Sequence, residues 1–326
     1  MIYGPGVLLV VFGLLLAALD IALVVLTPVL FRRLARVPPA SRPTAIFLAR
    51  FTPVLAALVL TALLFVPAWW RHEPANTGEI ASPLLLALAG LALLPLLSGA
   101  CRAAVMFVRT RDRISSWRDR GRNASCADTP FEVVEVKGAD LALCVGGYLK
   151  PTIYASTDVM TSLEPEELSA ALAHEASHAR ARDPLRLLWM GSCPDFLPLL
   201  RRDDAWRRAF AVACEFAADA GASRGNPEVA LDLASALLKV ARLRTFPQFG
   251  PATLADVAVS SAFSSRVDLE ARVEALANPP TGASGAGFFL RPWMFVPVAL
   301  VIGMVGAVES ARVHSVSEAL GRFLAP

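Results

Sequence analysis

The chain has 326 residues, of which 55% are hydrophobic and only 18% charged, below the usual quarter for a soluble domain. With a positive mean hydropathy, that composition argues against an ordinary soluble protein and predicts an integral membrane one. The net charge of +3, with no basic-aromatic patch, argues against nucleic-acid binding.

Residues 6–30 are almost wholly aliphatic and long enough to cross a bilayer. They lack the basic start of a signal peptide and read as a first transmembrane helix. Asp20 is costly at that depth and is expected to pair inside the bundle, with Arg102 as the candidate partner. Residues 51–70 form a second predicted span, ending in Trp69-Trp70, and residues 83–108 a third, interrupted by Pro95. Arg32, Arg33, Arg36, Arg42 and Arg50 lie between the first two spans or at their ends. Arg109, Arg111, Arg113, Arg118, Arg120 and Arg122 follow the third. Short basic segments stay in the cytoplasm, which predicts both as internal and the N-terminus as external.

From 121 to 287 the composition becomes that of a soluble domain. Residues 131–136, 141–148 and 152–156 read as strands separated by turn signals. Residues 205–222, 227–244 and 265–277 are the clearest helices after them. A proline- and glycine-rich linker, 279–287, leads to a fourth predicted span at 288–308 and a short external tail, 309–326. Cys101, Cys126, Cys144, Cys193 and Cys214 show no paired spacing, which fits a reducing compartment better than a disulfide framework.

The informative stretch is Leu172-Ala-His-Glu-Ala-Ser-His178. Glu164-Pro165-Glu166-Glu167 is a helix start, and residues 168–181 contain neither proline nor glycine. Asp183-Pro184 is expected to end that helix. Residues four apart share one helical face, so His174 and His178 present their imidazoles together. Two of the chain's four histidines sit here. They begin a zinc site, and Glu175 beside them can deprotonate a water that the metal polarises.

A third ligand must come from elsewhere, since His72 and His314 fall in external segments. Glu215, in an alanine-rich helix where an unpaired acid is expensive, is the favoured ligand. Asp219 lies one turn on, placed to hold a histidine by its free ring N–H. The competing reading makes Glu215 an ion-pair partner of Arg208 or Arg272, and Asp203, Asp204 and Glu228 are weaker ligand candidates. The strand 141–148 is either an ordinary internal strand or an edge that pairs with an extended substrate. In the second case Leu141, Leu143, Val145 and Tyr148 are the candidate substrate-binding residues, and Tyr148 and Tyr154 are nearby phenols.

The order of strands, Glu-Pro-Glu-Glu-Leu, Ala-His-Glu-Ala-Ser-His, Arg-Asp-Pro and Glu215-x-x-Ala-Asp219 resembles the membrane gluzincin peptidases of the BlaR/MecR family. It is similar, less closely, to the HtpX and CAAX-prenyl-protease group. The detailed resemblance covers about 141–276. It implies that His174, His178 and Glu215 bind zinc, that Glu175 is the catalytic base and that Asp219 supports a ligand. It also implies a protein substrate, with a cytosolic transcriptional repressor as the family's suggestion. BlaR/MecR receptors carry an external antibiotic-binding domain after the fourth span, which is not found here, so antibiotic sensing by this chain is not expected.

The expectation is therefore a multi-pass α-helical membrane protein with four transmembrane helices and an inserted cytosolic α+β zincin-like domain, a zinc-dependent metalloendopeptidase. Its expected partners are a protein or peptide substrate and the lipid bilayer, not nucleic acid. A non-catalytic transducer is the rival reading, and the residues leave a homodimer open.

Overall fold

The computed structural model describes residues 3–72, 82–124, 126, 129–137, 141–196, 203–243, 266–278 and 309–323. Among the described residues, three helices are long and apolar enough to cross a membrane. The first, α1, is Tyr3–Leu34. The second runs as α2 (Arg42–Leu60), a π-helical turn at Thr61–Phe65, and α3 (Val66–His72). It therefore begins well before the predicted start at 51, with Pro43 accommodated in its first turn. The third, α4 (Pro83–Arg120), starts where the Ser82 side chain accepts a hydrogen bond from Leu85 N–H.

Helix α4 continues twelve residues beyond the predicted end at 108. No proline or glycine interrupts 109–120, and arginine is a good helix former. That polar extension carries Trp117 and Ile114 under a four-stranded sheet. The strands are β1 (Gly121–Ala124), β2 (Val133–Val136), β3 (Leu143–Gly146) and β4 (Thr152–Ser156), in the spatial order β1-β2-β4-β3. β2 and β4 are parallel; the outer pairs are antiparallel.

Both faces of the sheet are covered. Val134, Cys144 and Tyr154 pack toward Trp117 of α4. Val133, Leu143, Val145, Ile153 and Ala155 face the other way, into the main core with Ala170, Leu172 and Ala176. Burial on two sides explains why these strands read as continuous apolar runs rather than alternating ones.

A short α5 (Thr157–Ser162) leads to α6 (Pro165–Ala181), which carries the histidine motif. Arg182 adopts a left-handed conformation, φ 54°, and the chain turns into α7 (Asp183–Ser192). Asp183-Pro184 thus ends one helix and starts the next, because proline suits a first turn as well as it forbids an interior one. Then follow α8 (Asp203–Ser223), α9 (Pro227–Leu243) and α10 (Arg266–Ala277). The predicted linker 279–287 and fourth span 288–308 lie outside the described residues. Most of the expected tail forms a helix, α11 (Ser310–Phe323), packed on the π-helical turn, α3 and α1.

The segment after α7 is gripped by all three apolar helices. Arg102 of α4 donates to Gly191 O (3.1 Å) and Cys193 O (2.8 Å), capping the end of α7. Asp20 of α1 accepts from Phe196 N–H at 3.0 Å, and Arg50 of α2 pairs with Asp195. The predicted Asp20–Arg102 pairing is replaced by these contacts: each residue holds part of the inserted 191–196 segment instead. Gly99 makes the approach possible, since a Cβ there would lie 2.3 Å from Ser192 O.

Candidate metal centre

Helix α6 is set by its N-terminus, where Glu164 N–H donates to Glu167 Oε2 at 2.9 Å and Pro165 occupies the first turn. One face of α6 then packs on the sheet and α9, while the face bearing His174 and His178 meets α8. The two helices come close through Gly221, where a Cβ would lie 2.9 Å from Ser177 Oγ. Glu215 and Asp219, four apart on α8, are thereby delivered to the two imidazoles.

The imidazole rings are edge-on with centroids 4.8 Å apart. Their Nε2 atoms are 3.1 Å apart, and Glu215 Oε2 and Oε1 lie 3.5 Å and 3.6 Å from Nε2 of His174 and His178 respectively. Ligand atoms around a tetrahedral zinc with bonds near 2.05 Å sit about 3.3 Å from one another. These three residues are the described group of donors able to hold a metal ion. Each ring is oriented from behind: His174 Nδ1 is 2.9 Å from Asp219 Oδ1, and His178 Nδ1 is 2.7 Å from Asp183 Oδ2. A carboxylate at Nδ1 holds the proton there and leaves the Nε2 lone pair for a metal. The donor set fits zinc.

Glu175 is fully buried, and neither carboxylate oxygen has a hydrogen-bond partner among the described residues. Burial pushes its acid up to about 7, against the lowering pull of the two histidines. An orphaned buried carboxyl group beside converging imidazoles is expensive unless something polar is to meet it. Burial disfavours charge on the imidazoles too, yet neighbouring carboxylates raise both: Asp219 and then Glu215 act on His174, Glu215 and then Asp183 on His178. Glu215 is held well below the usual carboxylate range despite burial, chiefly by Arg272. Asp219 is lowered as well, by hydrogen bonds from Arg272 and His174.

The structure thus brings together His174, Glu175, His178, Glu215 and Asp219. The two readings of Glu215 prove compatible: Arg272 Nη1 lies 2.9 Å from Oε2, while the carboxylate still faces the histidines. Arg208 is exposed. Glu228 is exposed at the start of α9, and the side chains of Asp203 and Asp204 lie outside the described residues. Asp183 was legible only as a helix stop; its spacing of five from His178 is the signal that pointed to more.

The strand candidates divide. β3 is an edge strand among the described residues, pairing only with β4. Ser156 N–H donates to Ala142 O, so by antiparallel alternation Leu143 and Val145 turn their backbone groups away from β4. Both residues are nonetheless buried, so that edge is covered in this conformation. Leu141 packs with Trp117, under the sheet. Tyr148 stacks on Phe107 of α4 with centroids 5.4 Å apart, and its hydroxyl donates to Met106 O at 3.5 Å. Tyr154 is buried against Trp117 and accepts from Arg118 Nε at 3.1 Å. Both phenols are packing residues here.

The centre abuts the apolar helices. Trp206 and Phe210 on α8 meet Phe31 of α1 and Phe47 of α2. Arg186 on α7 donates to Thr44 Oγ1 at 2.6 Å.

Two histidines and a glutamate converging from two helices, with the buried Glu175 beside them, make the donor arrangement of a metallopeptidase on a mostly helical, membrane-associated chain. Residues 109–202 match the family model of Peptidase family M48, a span that holds the sheet and the histidine motif but ends before Glu215. No curated protein matches the chain at a significant level.

Proposed function

We propose that this chain is a membrane-anchored zinc metalloendopeptidase that cleaves a cytosolic or membrane-associated protein. The observation that carries the reading is the convergence of His174 Nε2, His178 Nε2 and a Glu215 carboxylate oxygen beside Glu175, whose carboxylate has no hydrogen-bond partner among the described residues. His174, His178 and Glu215 hold the metal, and Asp219 and Asp183 orient the rings. Bound there, zinc supplies Lewis-acid polarisation of a peptide carbonyl and of a water. Glu175 takes the proton of the attacking water and passes it to the leaving amine, a contribution of about 10²–10⁴-fold. The backbone of Leu143 and Val145 offers an edge for an extended substrate once its cover is displaced.

The match to Peptidase family M48 supports the reaction class. The resemblance to the BlaR/MecR type suggests repressor cleavage, and that to the HtpX type suggests removal of faulty membrane proteins. Packing of α7 and α8 against the apolar helices supports a substrate segment close to the membrane surface. The arginine-rich flanks support a cytoplasmic catalytic domain with external termini. The test uses full-length protein in detergent with casein and a fluorogenic peptide library. Glu175→Gln should keep zinc while cleavage falls by about 10²–10⁴-fold; undiminished cleavage overturns the assignment.

A further inference from the structure

Arg272 is buried, 2% exposed, in a fold where charged side chains of that size are almost never buried unless paired. It reaches the metal centre from α10, beyond the histidine motif in sequence and outside the 109–202 family match. Its fork meets both acids of α8. Nε donates to Asp219 Oδ2 at 2.8 Å and Nη2 to Asp219 Oδ1 at 2.7 Å, a bidentate pair. Nη1 lies 2.9 Å from Glu215 Oε2.

One guanidinium therefore bridges two acids with different tasks. Asp219 Oδ1 is also the atom behind His174 Nδ1. Glu215 Oε2 lies 2.9 Å from Arg272 Nη1 and 3.5 Å from His174 Nε2, while Oε1 faces His178 Nε2 at 3.6 Å. The guanidinium thereby fixes the plane of the Glu215 carboxylate, with one oxygen toward each imidazole. Without the cation, two carboxylates one helical turn apart would repel across a dry site. A plain structural clasp, fastening α10 to α8, needs only one of these contacts. It gives no reason for the fork to divide between the acid that ligates and the acid that orients a ligand.

We propose that Arg272 is a positioning residue of the metal centre, fixing the Glu215 carboxylate toward the two imidazoles and locking His174 through Asp219. The proposal rests on His174, His178 and Glu215 being the ligands. Lysine keeps the charge but cannot reproduce a planar fork divided between two carboxylates.

The test measures zinc affinity by chelator competition, together with the visible spectrum of the cobalt-substituted protein, on full-length chain in detergent. Wild type, Arg272→Lys, Arg272→Gln and Glu215→Gln are compared, with folding checked by circular dichroism. Folded Arg272→Lys and Arg272→Gln should lose about 10–100-fold in zinc affinity, the usual effect of removing an outer partner, and the cobalt bands should shift. Should Arg272→Gln fail to fold, Arg272→Lys and Asp219→Asn carry the test by the same two readouts. Wild-type zinc affinity and an unchanged cobalt spectrum in folded Arg272→Lys overturn the inference while Glu215→Gln still loses the metal. Wild-type protein without zinc affinity, or Glu215→Gln equal to wild type, overturns the ligand reading and this inference with it.

Discussion

Asp183 Oδ2 lies 2.7 Å from Nδ1 of His178, at the point where one helix ends and the next begins. The left-handed Arg182 makes this possible, because it folds Asp183 back toward the ring five residues earlier. Asp183 is 3% exposed, so its grip on the imidazole is not diluted by water.

Asp183→Asn should therefore weaken zinc binding by about 10–100-fold while the fold persists. Chelator competition on the purified variant measures this. Unchanged affinity would reduce Asp183 to an acid in the first turn of α7.

The contact between α4 and the end of α7 depends on Gly99 having no side chain. Gly99→Ala places a Cβ 2.3 Å from Ser192 O, and overpacking of this kind costs about 1–3 kcal/mol. Its thermal midpoint in detergent should fall by several degrees, at roughly 2–4 °C per kcal/mol. Gly90→Ala on the same helix meets nothing within 4 Å and should be neutral or slightly stabilising. A fall of equal size in both variants would remove the packing explanation.

Glu167 links the start of α6 to α9, accepting from Ser235 Oγ at 2.6 Å and Lys239 Nζ at 2.7 Å. Burial raises its acid, but these partners win and leave it below the usual value. A depressed carboxylate contributes stability that is present above its unfolded pKa and is lost as pH falls through the folded one. Glu167→Gln should therefore lower the thermal midpoint near pH 7 and make little difference near pH 3. Lys239 is partly exposed, so the charge component is about 1 kcal/mol or less. Thermal melts across that pH range decide it; a deficit that stays constant with pH contradicts the assignment.

Local signals carried much of this architecture. Glu164-Pro165 marked the start of α6, long and mostly apolar runs marked the three described spans, and spacing of four put His174 and His178 on one face. What the residues could not convey was pairing at a distance. β1 is four mostly polar or small residues, and its pairing with β2 is recognisable only once folded. Asp20 and Arg102 read as partners because each was an isolated charge in an apolar helix. The 191–196 segment that separates them comes from another part of the chain. Arg272 was one of two cations offered as ion-pair partners of Glu215, and only the placement of α10 chooses between them and adds Asp219.

The account rests most directly on metal content. Elemental analysis of purified full-length protein should find about one zinc per chain, and His174→Ala, His178→Ala and Glu215→Ala should each lose it. Wild-type protein free of metal after zinc loading, or Glu215→Ala holding zinc as firmly as wild type, would contradict it.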